Sequence, residues 1–470
     1  MAIAGEETPI IINPTVVQLD EVDAEEADVS QRINTPLKVV IASSFLLRLA
    51  GGSTALLLSA YLKQIVHAEA ALIGLLYSIF YISELTLSPV FGALSDLRGR
   101  RFLLVLGPLV GAIALPFYPL TTMVLMLAFA RLLEGVSTAA KVPSALGYLA
   151  DATAGPGKKM AALRGRVMGI YEISFLVGIV GGSVLGAALD RFIGFAGFYV
   201  ISMIYLLTAA LLFFMVPETL PEAARVHQQQ VREAAKGDPH PIRTMLSTRL
   251  KSYAGLLKEP TLLSFMPAWL AVNAVVGLWS AHIQPLMIKA AVPVPGDAVS
   301  AQLLESNFTT GQVGVGGAVF GILFVFGIYL WSRVYAKLRK TNMMLAALVG
   351  LFITCLGLLA INNSWLPFGE PIGQWPLAPL VVIGLLLVSG FTPVALAFLA
   401  EISESHVEHR GAVMGLYSVL LGLGQLIGAA GGGLFIQQIG LGFNGLILGS
   451  FLLGVVAWVT VLRLRTKYGI

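Results

Sequence analysis

Arg164-Gly165-Arg166-Val167-Met168-Gly169-Ile170-Tyr171 and Arg410-Gly411-Ala412-Val413-Met414-Gly415-Leu416-Tyr417 are identical at six of eight positions. Leu149-Ala150-Asp151 precedes the first copy and Leu399-Ala400-Glu401 the second. Chance matching of glycine and alanine in apolar sequence does not account for shared polar residues at equivalent places. Each copy opens the fifth of six apolar runs, so the second half of the chain repeats the first in parallel.

Working outward from the repeat, apolar runs fall at 38–62, 72–95, 102–120, 122–149, 166–189 and 195–216, then at 261–288, 311–334, 342–362, 377–400, 411–435 and 441–463. A helical bilayer span needs about 20 predominantly apolar residues. Hydrophobic residues make up 57% of the 470 and charged ones 12%, with a mean hydropathy of +0.83. No water-soluble core hides that much apolar surface. The expected fold is therefore an all-α polytopic membrane protein of 12 transmembrane helices in two six-helix repeats.

The organisation follows. Residues 1–37 read as a disordered acidic tail, with Asp20, Glu21, Asp23, Glu25, Glu26 and Asp28 and no signal-peptide pattern. Residues 38–216 form the N-terminal half and 261–463 the C-terminal half. Between them 217–260 is a cytoplasmic linker with seven Lys or Arg, and 464–470 is a C-terminal tail. Of 30 Lys and Arg, 24 fall in the tails and loops on the face of the termini; Lys63, Arg191 and Lys289 lie opposite, and Arg48, Arg131 and Lys141 lie inside spans. That bias predicts cytoplasmic termini. It also explains a pI near 9.0 without a nucleic-acid partner. One cysteine, Cys355, excludes an internal disulfide or a thiolate metal site. His406 and His409 are too few to suggest a metal centre, so neither metal nor cofactor is expected.

Gly92-Ala93-Leu94-Ser95-Asp96-Leu97-Arg98-Gly99-Arg100-Arg101 joins the second and third spans. It resembles the signature loop of the major facilitator superfamily. Gly92 permits close helix approach, Gly99 a tight turn, and Asp96 beside Arg98, Arg100 and Arg101 a charge-assisted latch. The resemblance implies that this latch stabilises one access state. Arg131-Leu132-Leu133-Glu134-Gly135 in the fourth span is similar to the pattern of proton-coupled members. Gly178, Gly181, Gly182 and Gly186 resemble the glycine-rich fifth helix of the 12-span drug:proton antiporters, with Gly178 where a proline is expected. Pro217-Glu218-Thr219-Leu220-Pro221-Glu222 is similar to the segment after their sixth helix. The corresponding loop of the second half, from Ser332 to Lys340, keeps positive charge but lacks the Asp and Gly, which disfavours a sugar porter.

Six ionisable residues sit inside spans of the first half: Arg48, Glu84, Arg131, Glu134, Lys141 and Glu172. An intramembrane charge marks a functional site or a partner. At 1.5 Å rise per residue, Arg48 and Glu84 lie about 15 Å from the face of the termini, and Lys141 and Glu172 about 9–12 Å. Pairings of Arg48 with Glu84, of Lys141 with Glu172 and of Arg131 with Glu134 are all open. Glu84 and Glu172 are the candidate proton carriers, with fixed ion pairing as the alternative. The second half offers Asn273, Trp279, His282, Gln284 and Gln425 as cavity candidates.

The resemblance implies a secondary transporter, not an enzyme, exporting small amphipathic or drug-like compounds by proton-coupled alternating access. Its partners would be the small-molecule substrate, protons and lipid, its state a monomer, and its location a bacterial inner membrane. Uptake symport of an organic anion is the rival, given Arg48, Arg131 and Lys141. A non-transporting membrane sensor is an alternative of another class.

Overall fold

The computed structural model describes residues 35–153, 158–217, 260–289, 302–334, 339–363, 377–404 and 410–468, with isolated positions 229, 233, 243, 244 and 247. The N-terminal tail to residue 34, most of 217–260, and His406 and His409 lie outside the described residues.

Twelve membrane-crossing helices are present among the described residues. They are α1 (Thr35–Gln64), α2 (Ala70–Arg98), α3 (Arg100–Ala114, extended by one turn at Phe117–Leu120), α4 (Val124–Ala152), α5 (Lys158–Ile193) and α6 (Gly197–Met215) in the first half. The second half holds α7 (Pro260–Met287), α8 (Thr310–Val334), α9 (Lys340–Asn362), α10 (Ala378–Val388 and Phe391–Glu404), α11 (Arg410–Ile439) and α12 (Phe443–Tyr468). By length and apolarity alone ten stretches qualify as spans. One of them, Arg166–Met215, holds both α5 and α6, which turn at Gly194 where φ is +59°. The helix missing from that ten is α4, whose Arg131, Glu134 and Lys141 lower its hydropathy.

The sequence repeat becomes a packing repeat. The pairs α1 with α5, α3 with α4, α3 with α6 and α1 with α6 recur as α7 with α11, α9 with α10, α9 with α12 and α7 with α12. Small residues make the tightest pairs possible, because helices in lipid associate by close packing. A Cβ at Gly182 would stand 2.5 Å from the Leu49 carbonyl and 2.8 Å from the Gly52 Cα. Ser53 Oγ donates to the Gly182 carbonyl at 3.0 Å across the same contact. At the equivalent place, a Cβ at Gly428 would run into the Ala274 carbonyl.

The tenth span is broken at Ser389-Gly390, where the continuous run 377–400 predicted one helix. Pro393 lacks the N–H that Ser389 would otherwise receive, and Gly390 leaves room for the Trp331 ring. The carbonyl of Leu386, freed by the break, accepts from Trp331 Nε1 (3.0 Å) and Ser389 Oγ (2.9 Å).

The halves meet along α2 with α11 and α5 with α8. These seams include contacts toward the face opposite the termini. Gly433 packs on Ala70, Gly314 on Ala187, and the Gln437 amide bonds Glu69 and the Ala71 N–H. Ser59 Oγ donates to Gln284 Oε1 at 3.2 Å, tying α1 to α7.

Candidate functional site

Three of the six embedded charges are on α4, and the structure separates their roles. Arg131 Nη1 lies 2.7 Å from Glu134 Oε2, one turn on along the same helix. Tyr118 Oη donates to the same carboxylate oxygen at 2.5 Å. Arg131 Nε donates to the Leu76 carbonyl at 3.4 Å, and its guanidinium stands 4.5 Å and 4.7 Å from the Tyr77 and Phe80 rings. With Arg131 6% and Glu134 8% exposed, the pair is sealed between α2, α3 and α4. Gly135 on the next turn lets α2 approach, and Ser83 Oγ bonds the Leu132 carbonyl at 2.9 Å.

Lys141, two turns further along, is buried with its ammonium 5.5 Å from the Tyr205 ring. It does not meet Glu172. The charges that act on it are those of Arg48, Glu84 and Glu134, while Glu172 on α5 is exposed and feels Arg48.

Arg48 and Glu84 are close enough that Arg48 is the strongest charge acting on that carboxylate, followed by Lys141 and Arg131. Among the described residues none of them comes within ion-pair distance of Glu84. The turn of α2 that carries Glu84 is where the halves meet: Tyr81 Oη lies 3.0 Å from Ser280 Oγ of α7, and Leu85 packs on Gly422 of α11. Arg48 and Tyr171 line one small pocket beside Ser43 and Ser44. Gly178 of α5 makes room for Arg48, its Cβ position lying 2.7 Å from the Arg48 Cβ.

Asn273 and Trp279 are turned inward to their own half, which corrects the expectation that they line a cavity wall, whereas His282 sits at the seam against Gly74 of α2. Asn273 is buried against Gly424 and donates to the Trp269 carbonyl at 2.9 Å. Trp279 Nε1 donates to Ser450 Oγ on α12 at 2.7 Å. His282 is buried, its Nε2 2.9 Å from the Ala429 carbonyl. Gln425 is half-buried where Gly277 packs on its backbone.

At the face of the termini, Gly99 (φ 107°) makes the sharp joint between α2 and α3 that its loop motif requires. Arg100 Nε lies 3.0 Å from Asp151 Oδ2 at the end of α4, and Arg100 Nη1 donates to Ser95 Oγ at 3.1 Å. The guanidinium rests on Gly147, where a Cβ would stand 2.7 Å from its Cζ. Arg101 donates to the Phe213 carbonyl on α6 and covers that ring. Asp151 is thus the acid that sequence reasoning noted only as part of the repeat. Gly92 is buried and Arg98 exposed; the Asp96 side chain lies outside the described residues.

The family profile described as Major Facilitator Superfamily matches residues 40–291 and again 291–468. The chain belongs to the Major Facilitator Superfamily. It is an integral, multi-pass membrane transporter and not an enzyme. The first match takes in the N-terminal half, the linker and α7, and the second covers α8 to α12. The chain is 30% identical over 158 residues to "Multidrug resistance protein 2" of Bacillus subtilis, a match covering 33% of the chain and 38% of that relative. It is 22% identical over 407 residues to "Quinolone resistance protein NorA" of Staphylococcus aureus, covering 84% and 88% of the two chains. The crystal structure of the nucleoside transporter NupG superposes with a TM-score of 0.67 at 14% identity, over 93% of this chain and 100% of that one. That likeness is one of superfamily fold.

Proposed function

We propose that this superfamily member is a proton-coupled exporter of small amphipathic or drug-like compounds, working by alternating access between halves. Glu84 carries the reading. It is a membrane-embedded carboxylate at the junction of the halves, near three cations yet within ion-pair distance of none among the described residues. A carboxylate held that way exchanges a proton at smaller cost than one locked to a guanidinium. Glu134 is locked so, and its role with Arg131 is to fasten α4 to the α2 and α3 wall. The named drug-resistance relatives support the export direction. The basic bias of the loops supports cytoplasmic termini in a bacterial inner membrane. Gly99, Arg100 and Asp151 form the latch of one access state.

In proteoliposomes with an imposed pH gradient, Glu84→Gln should abolish gradient-driven export of an amphipathic dye while keeping downhill exchange. Undiminished gradient-driven export by that variant would remove Glu84 from the mechanism. Uptake symport of an organic anion is the second reading, favoured by the convergence of Arg48 and Lys141; reversed dependence on the gradient would identify it.

A further inference from the structure

Within the N-terminal half, α1, α3, α4, α5 and α6 enclose a small pocket lined by Ser43, Ser44, Arg48, Lys141 and Tyr171, with Val40, Leu104 and Leu212 among its apolar walls. We propose that this pocket is a subsite for an anionic headgroup, a carboxylate or a phosphate, held between Arg48 and Lys141. Two cations share one small cavity inside the membrane, and each acts on the other. Such an arrangement is costly without an anion close by. Glu84, Glu134 and Glu172 act on this pair from around the pocket, but none of them lines it. Among the described residues, no carboxylate stands within ion-pair distance of the Lys141 ammonium.

The hydroxyls supply a second, independent observation. Ser44 Oγ donates to the Val40 carbonyl at 2.9 Å and is satisfied within α1. Ser43 stands beside it, 2% exposed, and among the described residues its Oγ has no hydrogen-bond partner. A buried hydroxyl left unpaired costs stability, and one that lines a cationic pocket is suited to donate to an anion seated there. The ligand's transport rests on the exporter reading, whereas its binding does not.

The test uses the purified full-length protein in neutral detergent, with binding followed by calorimetry. The probes are decanoate, decanol, decyltrimethylammonium and inorganic phosphate, and nanodiscs with or without phosphatidylglycerol supply the lipid arm. Decanoate should bind saturably, with decanol and the ammonium amphiphile failing to compete. Lys141→Met should weaken decanoate about tenfold or more, and Lys141→Arg should recover most of the loss. Ser43→Ala should weaken it several-fold while leaving the ligand-free protein as stable or more so, because it deletes an unpaired hydroxyl. Binding of phosphate or phosphatidylglycerol with the same variant pattern supports the subsite and assigns its source to a free anion or a lipid. Equal decanoate binding by the wild type, Lys141→Met and Ser43→Ala overturns it. Intact anion binding without gradient-driven flux overturns the exporter reading alone; intact dye flux without anion binding overturns the subsite alone.

Discussion

Glu134→Gln removes the charge that Arg131 faces at 2.7 Å and that Tyr118 hydrogen-bonds at 2.5 Å, leaving a guanidinium sealed between three helices. Truncating one partner of a buried ion pair costs roughly 3–5 kcal/mol. Here the Leu76 carbonyl and the faces of Tyr77 and Phe80 still attend the cation, and each ring offsets part of the loss. A net destabilisation of about 2–4 kcal/mol follows, which lowers by roughly several degrees the midpoint at which the two halves unfold together. The lone cysteine supplies the assay: Cys355 is buried, so a thiol-reactive dye reports its exposure as the protein unfolds in detergent. The double variant Arg131→Met with Glu134→Leu should recover most of the loss, since a buried pair is readily replaced by apolar groups of like volume. Gradient-driven flux in surviving protein should persist in that double variant. An unchanged midpoint in Glu134→Gln together with lost gradient-driven flux would refute the fixed-pair assignment and make Glu134 a carrier.

Arg100→Ala should free Asp151 and shift the balance of access states roughly five- to thirtyfold, for a partly buried ion pair worth about 1–2 kcal/mol. Labelling of single cysteines from each membrane side, in a Cys355→Ser background, reads the shift; the exchange Arg100→Asp with Asp151→Arg should restore it, and unchanged labelling of Arg100→Ala would dismiss the latch. Gly182→Val should deplete folded, monodisperse protein, because its β-carbon meets the Leu49 carbonyl at 2.5 Å, whereas Gly169→Ala, with open space around it, should behave as wild type in size-exclusion chromatography. Equal behaviour of the two glycine variants would contradict the close α1 to α5 approach.

Much of the architecture is written in local pattern. Apolar runs of about 20 residues define spans whatever their neighbours, because an unpaired backbone group in lipid forces each run into a helix. The copies at Arg164 and Arg410 then define the halves. Where local pattern failed, a neighbour decided: α10 breaks at Ser389 and Gly390 because Trp331 of α8 occupies the gap and takes the Leu386 carbonyl. No period in the sequence of α10 encodes that partner.

The charges divide the same way. Sequence alone determined that six ionisable side chains lie in the first half's spans, that Arg131 and Glu134 share a helix face, and that Gly99 turns the chain beside basic residues. Only the tertiary structure decided which charges meet. Asp151 is separated from Arg100 by the whole of α3 and α4, Lys141 turns from Glu172 to share a pocket with Arg48, and Asn273 and Trp279 face inward to bond within their own half. The reason is physical: helical periodicity fixes the angle of a side chain about its own axis, but not which helix occupies that angle. That choice belongs to the glycine contacts that set each helix against its neighbour.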